Sequence, residues 1–152
     1  MGVATIIGYV NFIAIAFAVL FGVLSISTNN WRTFSLKDFN YGLWKVCDTL
    51  TCSKFTQDET LPTRVLMIIT CLCFAVVVVL RLLGCFIKSL SPKIVTLFLI
   101  LAFVFELAAV ASYTDKMKQD GFSFSWSYHL GWVSAFLALI TGIINLFERR
   151  DE

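Results

Sequence analysis

The residues from Trp31 to Cys52 read WRTFSLKDFNYGLWKVCDTLTC. They include Trp31, the triplet Gly42-Leu43-Trp44, and the cysteines Cys47 and Cys52. Long apolar runs lie on both sides, so this is the chain's one long polar segment. A segment that only joined two helices would not need this set of side chains. It is where the protein can present a specific face to water.

Around it the composition leaves little choice of solvent. Of 152 residues, 59% are hydrophobic and 14% charged, with a mean hydropathy of +0.84. A soluble domain of this length has too much surface for its volume to bury so much apolar material. Lipid fits, and the apolar runs suffice for four crossings of a hydrocarbon core about 30 Å thick. The spans are expected at about residues 3–27, 64–87, 92–113 and 124–147 of a single domain covering 1–152. The exposed loops are expected at about 28–63 and 114–123. A net charge of +2 gives no reason to expect a nucleic-acid partner. The first span lacks a basic n-region and is too long for a signal peptide, so it is expected to stay as an anchor. Met1-Gly2 resembles a myristoylation start, but Ile6 stands where that pattern needs Ser or Thr.

Within the first span, Ala14, Ala18 and Gly22 recur every four residues. In the fourth, Ser134, Ala138 and Gly142 do the same. Small residues along one face let a second helix backbone come close, so these two faces are expected to pack together. Asn11 should face a neighbouring helix, because its amide needs partners that lipid lacks. Arg81 is close enough to its span's end to snorkel to the interface. Cys71 and Cys73 read as packing residues. Cys85, beside the membrane surface and Lys88, is a candidate for S-palmitoylation, with an inert buried thiol as the plainer reading. Ser89 to Pro92 reads as a tight turn opening the third span.

Glu106 lies inside the third span. A carboxylate there costs about 3 kcal/mol on insertion scales, against about −0.3 to −0.6 kcal/mol for each surrounding Leu, Ile, Val or Phe. Insertion wins, and Glu106 should be protonated or paired and face the bundle. By depth, its expected partner is His129 of the fourth span. Phe124 to Tyr128 reads as an aromatic belt at the interface.

In the first loop, apolar and polar residues alternate through Phe34-Ser35-Leu36-Lys37 and around Val46-Cys47-Asp48, which favours short strands. Asp48 to Thr51 can turn a hairpin that sets Cys47 opposite Cys52. A disulfide between them is the preferred reading, and it would contribute about 2 kcal/mol in the chain-entropy model. A metal pair lacks a local histidine or second cysteine pair, and two free thiols are the plain alternative. Charge counting does not orient the chain. With both termini inside, Arg81, Lys88, Lys93, Arg149 and Arg150 face the cytoplasm. The other seven lysines and arginines then face outward, against the positive-inside rule. The cysteine pair decides instead, because a structural disulfide needs an oxidising compartment.

Trp31, Gly42-Leu43-Trp44, Cys47, Cys52 and Arg64 resemble the W-GLW-C-C signature and following arginine of the claudin superfamily, which takes in the peripheral myelin and epithelial membrane proteins. Phe124 to Val133 is similar to the lens fibre membrane intrinsic protein and natural killer cell granule protein branch. The resemblance implies an all-α membrane protein: a left-handed four-helix bundle with a small extracellular antiparallel sheet. It also implies that Trp31, Gly42, Leu43 and Trp44 seat that sheet on the bundle, helped by Arg64. The chain departs from typical claudins in its shorter first loop, its lack of a glycosylation sequon there, and a tail, Glu148 to Glu152, without a PDZ ligand.

This reading implies a structural tetraspan of cell–cell contacts at the plasma membrane. Its partners would be the bilayer, itself or related tetraspans in cis and in trans. The alternatives are a regulatory or trafficking subunit of a channel or receptor, and a vesicle or granule membrane protein. No cofactor and no enzymatic activity are expected. The single histidine lies in a membrane span, and the sequence offers no nucleophile–base pairing and no phosphate-binding glycine loop.

Overall fold

The computed structural model describes residues 2–34, 38–54, 58–86, 92–118 and 121–147. Helix α1 spans Val3–Ser27, α2 Leu61–Phe86, α3 Pro92–Lys116 and α4 Trp126–Phe147. Each is long and apolar enough to cross a membrane. Between α1 and α2 lie strands β1 (Arg32–Phe34), β2 (Phe39–Tyr41), β3 (Lys45–Cys47) and β4 (Cys52–Lys54), then a 3-10 turn at Asp58–Thr60. Strand β5 (Phe122–Phe124) precedes α4. The expected tail and the turn at 89–91 lie outside the described residues, as does the side chain of Cys85.

The burial pattern is that of a protein in lipid. Along α1 the buried residues are Asn11, Ile15, Ala18, Gly22 and Ser25, while Val3, Ile6, Val10, Phe12 and Phe17 are exposed. A helix in water would do the reverse. In lipid the outward face gains nothing from polarity, and close approach and hydrogen bonding choose the inward one.

The buried residues of α1 step by four, three, four and three. On α4 the matching positions are Ser127, Gly131, Ser134, Ala138, Thr141 and Asn145. This alternation keeps one seam buried from Asn11 to Ser25 of α1. Two rungs are closed by hydrogen bonds between the helices: Ser25 Oγ donates to Ser127 O, and Ser134 Oγ to Ala18 O, each at 2.8 Å. A Cβ on Gly22 would stand 2.8 Å from the Phe74 ring and 3.0 Å from Ser134 Oγ, so three helices converge there.

The seam corrects two sequence-based expectations. Ala14 is half-buried beside it, because a strict four-residue step drifts around a helix of 3.6 residues per turn. Gly142 turns to α3, where its Cβ would meet Ile100 at 3.2 Å and Leu99 at 3.5 Å. Ala18, Gly22, Ser134 and Ala138 are buried on the seam or beside it.

The five strands form one antiparallel sheet in the order β4-β3-β2-β1-β5. The alternation in the first loop predicts only its own strands. β5 is contributed by the second loop, where the sequence reads as polar loop and aromatic belt, and Phe122-Ser123-Phe124 is too short an alternation to stand out. Gly121, at φ 86°, turns the chain into β5, a conformation that L side chains rarely adopt. With β5 ending at Phe124, α4 starts at Trp126.

Candidate functional site

The site is the sheet and the bundle end that carries it. Its foundation is the last turn of α1, whose carbonyls have no partner further along the helix. Trp31 is fully buried and its indole N–H donates to Ser25 O at 2.7 Å. The Trp44 indole N–H donates to the next carbonyl, Ile26 O, at 3.0 Å. The two tryptophans thus complete one helix end from opposite ends of β1–β2–β3. The rest of each ring is apolar and packs: Trp31 meets Tyr113 edge-on at 4.7 Å and Tyr128 at 6.1 Å. Around it, Leu43, Met67, Val110 and Met117 complete a buried cluster.

The backbone of Trp31 joins the two loops. Its N–H donates to Tyr41 O, and its carbonyl accepts from Ser125 N–H, both at 2.9 Å. Gly42 has no room for a side chain, since a Cβ would lie 2.5 Å from Asn29 Cα. That close approach lets Leu43 drop into the cluster while Trp44 stays 38% exposed. Arg64, from α2, donates through Nε to Leu43 O at 2.6 Å and sets its guanidinium 5.5 Å from the centre of the Trp44 ring. The signature residues therefore form one connected unit.

Cys47 and Cys52 are paired across β3 and β4 and joined by a disulfide, with Cα atoms 4.1 Å apart. This closes the question of a metal pair or free thiols. Asp48 N–H donates to Thr51 O at 2.8 Å, and the turn between them lifts Leu50 to 90% exposure.

Arg32 is a residue that the sequence reading missed. It is buried, with its guanidinium carbon 4.3 Å from the centre of the Phe122 ring and 4.9 Å from that of Tyr41. The rings come from β5 and β2, so the arrangement exists only once strands from both loops have paired. On β1 and β5, Thr33 and Ser123 are register partners with hydroxyls 3.0 Å apart.

Two intramembrane expectations are corrected. Glu106 is fully buried, and its Oε2 lies 3.0 Å from Ser134 Oγ. His129 is exposed instead, its ring edge-on to Tyr128 at 5.4 Å. It precedes Ser134 by five residues, which turns it about 140° around α4 and sets it a turn nearer the sheet. Arg81 does not only reach for the interface: its Nη2 donates to Asn145 Oδ1 at 2.6 Å, and Asn145 Nδ2 donates to Thr96 Oγ1 at 2.8 Å. Cys71 and Cys73 carry free thiols.

Four lipid-suited helices under a small disulfide-pinned sheet define a claudin-like tetraspan membrane protein. Residues 2–145 match the PMP-22/EMP/MP20/Claudin family, and the chain belongs to it. It is 27% identical to the lens fiber membrane intrinsic protein of Rattus norvegicus over 146 residues, covering 84% of this chain and 83% of that one. It is 31% identical to claudin domain-containing protein 2 of Homo sapiens over 130 residues, covering 82% and 75%. The human lens fiber membrane intrinsic protein is 25% identical over 146 residues, covering 84% and 83%.

Proposed function

We propose that this tetraspan organises cell–cell contacts, with the sheet as its extracellular adhesive face and both termini in the cytoplasm of a plasma-membrane protein. The observation that carries the reading is the way the sheet is fixed. Two indole caps, the Arg64 clamp, a disulfide and a strand from the second loop all hold it to the bundle. A sheet so restrained loses little conformational freedom on binding, which suits recognition of another protein surface. An oxidising compartment around the disulfide supports the orientation. Exposed Leu50 at the β3–β4 tip is the apolar contact that a facing molecule would cover.

The test is localisation in a mixed culture of tagged expressing and non-expressing cells. Signal should concentrate where two expressing cells meet. Leu50→Asp should reach the surface in normal amount and lose at least half of that enrichment. Uniform surface signal, or retention in vesicles, would reject the reading.

A second reading is a regulatory subunit of another membrane protein. What favours it is an apolar groove of about 400 Å³ along α1, lined by Val10, Ile13, Ala14, Phe17, Phe21 and Leu137. Co-purification of a channel or receptor, abolished by Ala14→Phe, would support it over adhesion.

A further inference from the structure

We infer that Glu106 is held in the folded bundle as a neutral carboxylic acid whose proton ties α3 to α4 and, through Ser134, to α1. The available protons require it. Ser134 Oγ lies 2.8 Å from Ala18 O and 3.0 Å from Glu106 Oε2. Both are acceptors when Glu106 is ionised, yet a serine hydroxyl carries a single proton. One of the two contacts would then set lone pair against lone pair in a site closed to water. With the proton on Oε2 the conflict disappears. Glu106 donates to Ser134 Oγ, and Ser134 donates to Ala18 O, in one unbroken direction from α3 through α4 to α1.

The surroundings agree. Glu106 is fully buried, and Oε1 has no hydrogen-bond partner among the described residues. A neutral carbonyl oxygen bears that isolation far better than half of a carboxylate does. Among the described residues, no element packed around the acid supplies a cation. From α2 the titratable group within electrostatic reach is Cys71, and Arg64 and Arg81 stand near the two ends of that helix, bonded to Leu43 O and Asn145. From α4 the facing group is Ser134, with His129 exposed. On α1 the neighbours of Ser134 are Ala18 and Gly22, which do not titrate. On α3 itself, Lys93, Asp115 and Lys116 lie at the ends.

The chain also explains why the bundle tolerates a serine here. In the α1–α4 seam Ser134 is fully buried, with its Oγ 2.8 Å from Ala18 O and 3.0 Å from where a Cβ on Gly22 would lie. Its hydroxyl both donates and accepts, so it can pass the interaction on rather than end it.

Infrared difference spectroscopy on the full chain in lipid nanodiscs tests this at neutral pH. Wild type minus Glu106→Gln should show a carboxylic-acid C=O band. Wild type minus Ser134→Ala should show that band displaced, because the acid loses its acceptor. Ser134→Ala should also lower the melting temperature by about 2–4 °C. The double variant Ser134→Ala/Glu106→Leu should recover most of that loss, since it removes both ends of the bond. Absence of an acid band, or a band that Ser134→Ala leaves in place, would overturn the inference. The second measurement needs no Glu106 variant, so misfolding of Glu106→Gln would not rescue it.

Discussion

Trp31 and Trp44 lie far enough apart to look like separate interface anchors, yet they donate to the adjacent carbonyls Ser25 O and Ile26 O. Each replaces a hydrogen bond that the helix end cannot make for itself. Their burial separates their worth. Trp31→Phe keeps a ring but leaves a buried acceptor unpaired and should cost about 1–3 kcal/mol. Trp44→Phe leaves its acceptor beside a ring that is 38% exposed, where water can substitute, and should cost less than about 1 kcal/mol. Melting of the purified variants in detergent checks the order, and equal losses would reject the capping account. These residues were legible in the sequence because Trp, Gly and Cys stand out against a polar loop. Arg32 was not, because its two aromatic partners are 9 and 90 residues away and only sheet register unites them. His129 misled for a related reason. Depth along a helix can be read from residue number, but a partner across the bundle also depends on rotation around the axis, which brings Ser134 inward instead.

The helices were legible as spans by length and hydropathy. Their packing was legible only in part. Small residues repeating every fourth position do mark α1 and α4 as partners, and the seam contains Ala18, Gly22, Ser134 and Ala138. The true repeat is a heptad with polar rungs seven residues apart, Ser25 on Ser127 and Ala18 on Ser134. Asn11, one heptad back along α1, is also buried, but its amide has no hydrogen-bond partner among the described residues, and Thr141 bonds to Leu137 O and Ala138 O of its own helix. The difference between seam and groove gives a direct comparison. Gly22→Leu forces a side chain against Phe74 and Ser134 and should destabilise by about 1–3 kcal/mol or more. Ala14→Leu extends into the apolar groove and should stay within about 0.5 kcal/mol. Thermal stability in detergent measures both, and the reverse order would show that the four-residue face, not the heptad seam, carries the packing.

Pairing of α1 with α4 has a consequence for the molecule as a whole. It brings the start of the first loop beside the end of the second, so β1 and β5 can share a ladder although about 90 residues separate them. The sheet is therefore finished only when the bundle has closed, and a face presented by strands from both loops reports that closure. Thr33 and Ser123 offer a way to read it. They are register partners with hydroxyls 3.0 Å apart, and antiparallel partners hold their Cα atoms at about 4.5–5.5 Å, within disulfide range. Thr33→Cys with Ser123→Cys should form a second disulfide in cells, detected by blocked alkylation of both thiols and by a mobility shift on non-reducing gels. Neither single variant should do so. Adding Gly22→Leu should reduce the cross-link, because a seam held apart at Gly22 keeps the loops from meeting, while the local Cys47–Cys52 bridge should persist. If the cross-link forms only with an added oxidant, the strand pairing stands and the extracellular placement of the sheet is rejected. If it fails under both conditions while the single variants fold, β5 is not joined to β1 in the membrane. The face proposed as adhesive would then be the first loop alone.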